Sequence, residues 1–248
     1  MNRTSDLYSN YQDWKSWDDL FVYTPDHDGY FTRELADLAI READVLEIGF
    51  GSGSCVAWLE DRGARISVTE ISERSCAGAQ ARGLEVLPTD LPPVAGAHAN
   101  QFDTIIAFDV FEHLDLNTVE AYLSACATML KPGGKLLLRF PNAQSPFGLK
   151  HQAGDPTHRS KLSESVIKLL ITRRPFEVTR YTGSHLYRGK PLSPVWFKRS
   201  IRCVLQVVIG GLLSFVYASQ IPYDPVVVLV LRKTVTSRST TRNFDEIL

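Results

Sequence analysis

The stretch "VLEIGFGSGS", residues 45–54, decides the fold. Val45–Phe50 is an apolar run that leads into Gly49, Gly51 and Gly53, and Val56–Arg62 then reads as a helix. Glycines at a strand-to-helix turn let a ligand approach the backbone, and the helix start offers N–H groups without intrahelical partners. Dinucleotide-binding proteins use similar turns, so the spacing alone leaves the ligand open.

Outward from this turn, strand and helix patterns alternate. Arg65–Glu70 is β-branched, Arg74–Arg82 is Ala-rich, and Leu84–Leu87 is a short strand. Phe102–Phe108 (FDTIIAF) is a buried-type strand. Val119–Leu130 has helical apolar spacing that stops at Lys131-Pro132-Gly133-Gly134, and Lys135–Phe140 is a further strand. This order calls for an α/β fold, a parallel sheet covered by helices on both faces. Ser163–Thr172 reads as a helix, Phe176–Tyr181 as a strand, and Val226–Leu231 as a last buried strand.

The chain has 248 residues, 44% of them apolar and 22% charged, with a formal charge of −1. That is enough chain to bury a sizeable core. The near-zero charge gives no reason to expect nucleic acid as a partner. The 4 cysteines form no CxxC pair, and with no basic-plus-apolar leader the expectation is a cytoplasmic, reduced protein.

Two carboxylates sharpen the ligand. Glu47 lies on the strand before the glycine loop, where it opposes a pyrophosphate and suits an amino-bearing ligand. Glu70 ends the second strand, where an acid can accept both ribose hydroxyls. Asp90, in "LPTDL", follows the third strand and could accept an adenine amine. An amino-acid head, a ribose and an adenine without phosphate describe S-adenosylmethionine.

From about residue 42 to 141 the chain resembles class I S-adenosylmethionine-dependent methyltransferases. The resemblance rests on "VLEIGFGSG", "VTEIS", "PTDL", "FDTIIAFDVFEHL" and "LKPGGKLLLRFPN". It implies a Rossmann-like seven-stranded, mostly parallel sheet with an antiparallel last strand. It assigns the methionine end of the cofactor to Glu47, Gly49, Gly51, Gly53 and Phe108. The ribose falls to Glu70, and the adenine to Ile71, Asp90 and Leu91.

Ligands of open α/β sheets bind beyond the carboxyl ends of the strands. The acceptor candidates are therefore Asp109, Glu112 and His113 after strand four, and the loop after strand five. "DVFEH" resembles the E-x-x-E-H of cation-dependent ubiquinone-pathway and small-RNA methyltransferases. That makes Asp109, Glu112 and His113 candidate ligands for a divalent cation, with His158 as a further one. The shorter first acid weakens the match. "FPNAQSPFGLKHQAGDPTH", residues 140–158, has no regular period. It resembles the segment after strand five in methyltransferases of bacterial polysaccharide and lipopolysaccharide clusters. Asp155 and His158 there, with His113, are the catalytic candidates, and His158 is the expected general base. The expected acceptor is a glycan, a glycolipid precursor or its terminal phosphate. The alternative is a small molecule of quinone or secondary metabolism, and the rival from outside enzymology is a cofactor-binding regulator without turnover.

Two regions flank this domain of 41–235, and a third is inserted in it. Residues 1–40, rich in aromatics, are expected to form a helical cap over the cofactor pocket, and 236–248 a polar tail. Residues 183–223 form an insertion with 21 uncharged residues between Arg202 and Asp224. They read first as a helix packed on protein. An interfacial helix giving peripheral contact with the inner membrane through 198–221, or a membrane span, are the alternatives.

Overall fold

The computed structural model describes residues 19–185, 192–218 and 221–234. The aromatics before residue 19 and the polar tail lie outside these residues.

Seven strands form one sheet in the order β3-β2-β1-β4-β5-β7-β6. They are β1 (Asp44–Ile48), β2 (Arg65–Thr69), β3 (Glu85–Val86), β4 (Phe102–Phe108), β5 (Leu130–Pro141), β6 (Phe176–Gly183) and β7 (Val226–Lys233). The first five run parallel, while β7 lies antiparallel between β5 and β6. The helices are α1 (Pro25–Glu34), α2 (Ser54–Glu60), α3 (Glu73–Ala81), α4 (Leu91–Val94), α5 (Leu116–Met129), α6 (Leu149–Gly154), α7 (Glu164–Ile171) and α8 (Pro194–Tyr217).

Strands buried on both faces are apolar at successive positions, and here alternate residues feed two cores. Leu46, Ile105, Leu136, Leu138 and Leu229 meet α5 and α7 through Leu123, Cys126 and Ile167. Val45, Ile106, Leu137, Val228 and Val230 meet α1 and α2 through Phe31, Trp58 and Leu59. Truncating one such leucine to alanine costs about 2–5 kcal/mol.

Three elements differ from the sequence reading. Lys131-Pro132-Gly133-Gly134 follows the end of α5 at Met129, as expected, but lies within the sheet and not in a connecting turn. It bulges within β5 between Leu130, paired with Phe102, and Lys135, paired with Thr104. Lys131 is held there by Asp44 and Asp103. The long loop after β5 contains the short helix α6, which its prolines and glycines concealed. Finally, α8 is not packed on protein: none of its apolar window is buried.

Helix α1 is stopped and docked by local chemistry. Thr24 caps it in a reciprocal box with His27, and Pro25 fills its first turn. Asp28 then accepts from the Trp58 indole at 2.9 Å and from Arg62 at 2.6 Å. These bonds fix α1 beside α2 and place Tyr30 and Phe31 against Phe108.

Candidate active site

The strand order reverses between β1 and β4, and the candidate site lies beyond their carboxyl ends. On the cofactor side, Gly49, Gly51 and Gly53 have φ of +66°, +58° and +75°. Side chains strongly disfavour this left-handed region. A Cβ on Gly49 would also sit 2.6 Å from the Val110 side chain, and one on Gly53 would overlap the Phe21 ring. Gly49 and Gly53 are thus required twice over, by backbone angle and by space.

Glu47 points into the sheet end and is 3% exposed, with its Oε2 bonded to nothing. Burial pushes its carboxyl up to about 8, and Glu70 adds to the shift while Cys55 and Arg139 oppose it. A buried carboxylate with an orphaned oxygen is costly unless a cation or donor meets it. Glu70 is used differently. It accepts from the Gly51 amide at 2.8 Å and from Ile71 and Ser72 at 2.7 and 3.0 Å. It therefore stitches the glycine loop to the turn after β2. A carboxylate offers about four lone-pair sites, so two ribose hydroxyls would have to displace at least one amide.

Asp90 is exposed at the start of α4 and makes no capping bond. Ile71 is exposed on the same side of the sheet. Leu91 corrects the expectation in one respect: its side chain is fully buried in the core, so only its backbone can face a ligand. Phe108 lies at the end of β4 with its ring against Tyr30 and Phe31.

On the acceptor side, the expected metal grouping is rearranged. Asp109, held at φ +56°, forms a two-point ion pair with Arg139, its Oδ1 at 2.9 Å from Nε. Arg139 also donates to Tyr30 at 2.9 Å and lies 4.9 Å from the Phe108 ring centre. The ligand atoms that do gather within 4.8 Å of one another belong to Glu112, His113 and His158. Asp109 is outside that group because the salt bridge draws it toward β5.

The post-β5 loop completes this cluster by folding over the turn after β4. The amides of Arg159 and Ser160 donate to the Glu112 carbonyl at 2.7 and 3.0 Å. The His113 and His158 rings meet edge to face with centres 4.7 Å apart. Thr157 donates its hydroxyl to Asp155, so its oxygen must accept from Nδ1 of His113 at 2.8 Å. Nδ1 of His158 faces the Gln152 carbonyl at 3.2 Å, which can only accept. Both imidazoles thereby carry Nδ1–H, and Nε2 of His158 lies 3.9 Å from Oδ2 of Asp155. Burial, reinforced by His158, lowers the His113 pKa and keeps the ring neutral. Burial, with Asp109 nearby, drives the Glu112 carboxyl well above the usual range, and its Oε2 is unpartnered.

Asp155 is buried and bonded to Thr157, which makes it an orienting group for His113. His151 is exposed on α6. Arg139 is a site residue that the sequence reading missed. The signal for Arg139 was a lone cation inside the apolar run "KLLLRF". A separate surface hollow of about 570 Å³, lined by Ile40, Arg41, Glu42, Asp61, Arg62 and Gly63, lies before β1, at the other end of the strands.

Residues 27–181 match the family model described as a methyltransferase domain. The chain belongs to the methyltransferase domain family. The ubiquinone biosynthesis O-methyltransferase of Azoarcus sp. (strain BH72) is 33% identical over 96 residues, 36% of this chain and 40% of that protein. The chain therefore aligns with under half of that relative's length. Among solved structures, a SAM-dependent methyltransferase from Archaeoglobus fulgidus superposes with a TM-score of 0.61 at 19% identity, covering 84% of this chain and 93% of its own. The 1,6-didemethyltoxoflavin-N1-methyltransferase of Burkholderia thailandensis, solved with S-adenosylhomocysteine, superposes at 0.57 with 17% identity, covering 93% and 87%. The relatives' names do not support surface-polysaccharide biosynthesis over the small-molecule alternative.

S-adenosylmethionine, the cofactor expected of this domain, presents the ammonium of a zwitterionic amino-acid head and a sulfonium. The orphaned Glu47 oxygen and the three left-handed glycines fit that group.

Proposed function

We propose that this methyltransferase moves the methyl group of S-adenosylmethionine to a hydroxyl oxygen of a small acceptor, of the aromatic kind found in quinone pathways. The observation that carries the reading is the His113–His158 pair, in which burial favours the basic form of the His113 imidazole. The relative's name, a ubiquinone biosynthesis O-methyltransferase, supports the acceptor class. In this reading the glycine loop and Glu47 hold the methionine end. Glu70, Ile71, Asp90 and the Leu91 backbone hold the nucleoside, and Phe108 closes the methyl end.

Transfer from a sulfonium is an in-line displacement. The acceptor's O–H proton passes to an imidazole Nε2 as the oxygen attacks the methyl carbon. The S–C bond breaks and leaves a neutral thioether, and the imidazolium later yields its proton to solvent. General-base assistance of this kind contributes about 10²–10⁴-fold. Tyr30 and the Arg139–Asp109 pair brace Phe108, and with the docked helix α1 they form a wall that keeps water from the methyl.

A second reading adds a divalent cation, favoured by the gathering of Glu112, His113 and His158. One carboxylate and two imidazoles suit a borderline ion better than magnesium. Such an ion would polarise the acceptor oxygen.

Release of S-adenosylhomocysteine with catechol-type acceptors and with glycans, each with and without EDTA, tests these readings. Turnover of the catechol that survives EDTA is expected. Turnover only with glycans would overturn the acceptor class, and loss in EDTA would favour the cation. Cofactor binding without any turnover would favour the regulator.

A further inference from the structure

We propose that α8 is a docking helix that lies along the surface of an anionic lipid bilayer. The inference needs no particular acceptor and goes beyond the function above.

By length and composition α8 could cross a membrane, and none of its apolar window is buried. Its exposed side chains include Ile201, Val204, Val208, Leu212, Phe215 and Val216, with Phe215 87% exposed. At 3.6 residues per turn, the exposed apolar positions from Ile201 to Val216 spread over roughly 200° of the circumference. The less exposed positions recur at helical spacing and are mostly small or polar: Ser200, Cys203, Gln206, Gly210 and Ser214. The helix thus faces outward with its apolar side, the reverse of a helix that completes a protein core. An arc so wide exceeds the stripe that a groove on a partner protein would cover, while lipid tails can meet all of it.

The charges select the surface. Lys198 and Arg202 are exposed at the edge of the apolar arc, and α8 contains no acidic residue. Long basic side chains at such an edge reach phosphate headgroups while their stems stay on apolar ground. Arg199 is turned the other way, to Asp26 at 2.9 Å, and ties the helix start to α1.

Topology excludes a span. The flanking strands β6 and β7 pair in one sheet, Tyr181 opposite Leu229, so both ends of the insertion lie on one side. The return segment 218–225 could extend about 28 Å at most, short of the roughly 30 Å of hydrocarbon in a bilayer. It is also pinned near its end. Asn142 donates to the Pro222 carbonyl at 2.7 Å, and Ser145 to that of Tyr223 at 2.7 Å. Those bonds join the segment that leads from α8 to β7 to the acceptor-side loop, where Phe147 and Leu149 are also exposed. A helix lying on the bilayer would hold that loop beside it.

The test is co-sedimentation of the full chain with phosphatidylcholine vesicles, with and without phosphatidylglycerol. Binding that requires phosphatidylglycerol and weakens with salt is expected. The K198Q/R202Q variant should bind roughly tenfold or more weakly, and V208E/F215E should lose binding, each with an unchanged thermal transition. Failure to sediment with either vesicle would overturn the proposal. So would undiminished binding by V208E/F215E, or a stable dimer dissolved by V208E/F215E that ignores vesicles, which would make a second copy the occupant.

Discussion

The two halves of the site are built by different means. The cofactor half is backbone: left-handed glycines, a strand-end turn and Glu70 tied to three amides. The acceptor half is side chain on side chain, with His113 met by Thr157 and His158 from a loop that follows another strand. A backbone-built pocket depends on conformation at a few fixed positions and fails when one is denied. A side-chain relay can lose a member and still hold its shape. Mutations should therefore separate binding from turnover along this line.

The largest effect is expected on the acceptor side. His113→Ala should lower kcat by about 10²–10⁴ with cofactor affinity unchanged by calorimetry. An unchanged kcat would move the base to His158, where His158→Ala is the matching test. On the cofactor side, Gly49→Val forces a side chain to φ +66° against Val110. Strain of about 1–3 kcal/mol plus the steric overlap should weaken cofactor binding by about 100-fold. If affinity survives, the loop is not backbone-limited.

Glu47 gives a smaller, pH-resolved effect. Its folded carboxyl titrates near 8 against an ordinary 4.5, so its protonated form stabilises the fold. That contribution is complete below about pH 4.5 and is lost as pH rises toward 8, by about 1.4 kcal/mol per unit. Thermal melts of the cofactor-free protein should fall across this window, and Glu47→Gln should flatten the trend. The same variant should abolish the proton release expected when an ammonium group binds at neutral pH, which calorimetry in buffers of different ionisation heat would read. The smallest change is expected from Thr157→Val, which removes the acceptor for His113 Nδ1–H. A several-fold drop in kcat with unchanged cofactor affinity would mark it as a positioning residue.

The contrast also explains what the sequence made legible. The glycine loop, Glu47 and Glu70 sit at spacings that backbone geometry dictates, so strand and turn patterns located them. Strands β1, β4, β5 and β7 were readable because burial on both faces leaves apolar runs. Side-chain partnerships across distant segments leave no periodic trace. The diversion of Asp109 to Arg139, the Asp155–Thr157–His113 relay and the exposure of α8 all depend on what lies opposite in space. "DVFEH" groups Asp109, Glu112 and His113 in sequence, but in space the first acid belongs to the salt bridge and the histidine pairs with a residue from the next loop.

The pairing of β6 with β7 carries a consequence for how this enzyme can be rebuilt. Everything in α8 hangs from the open end of an antiparallel hairpin whose register is set without it. Residues 192–218 form an appendage that could be exchanged for a short flexible turn while the sheet closes as before, since loop length costs little. With the docking role proposed for α8, address and chemistry would be separate possessions of this chain, and either could change while the other is kept.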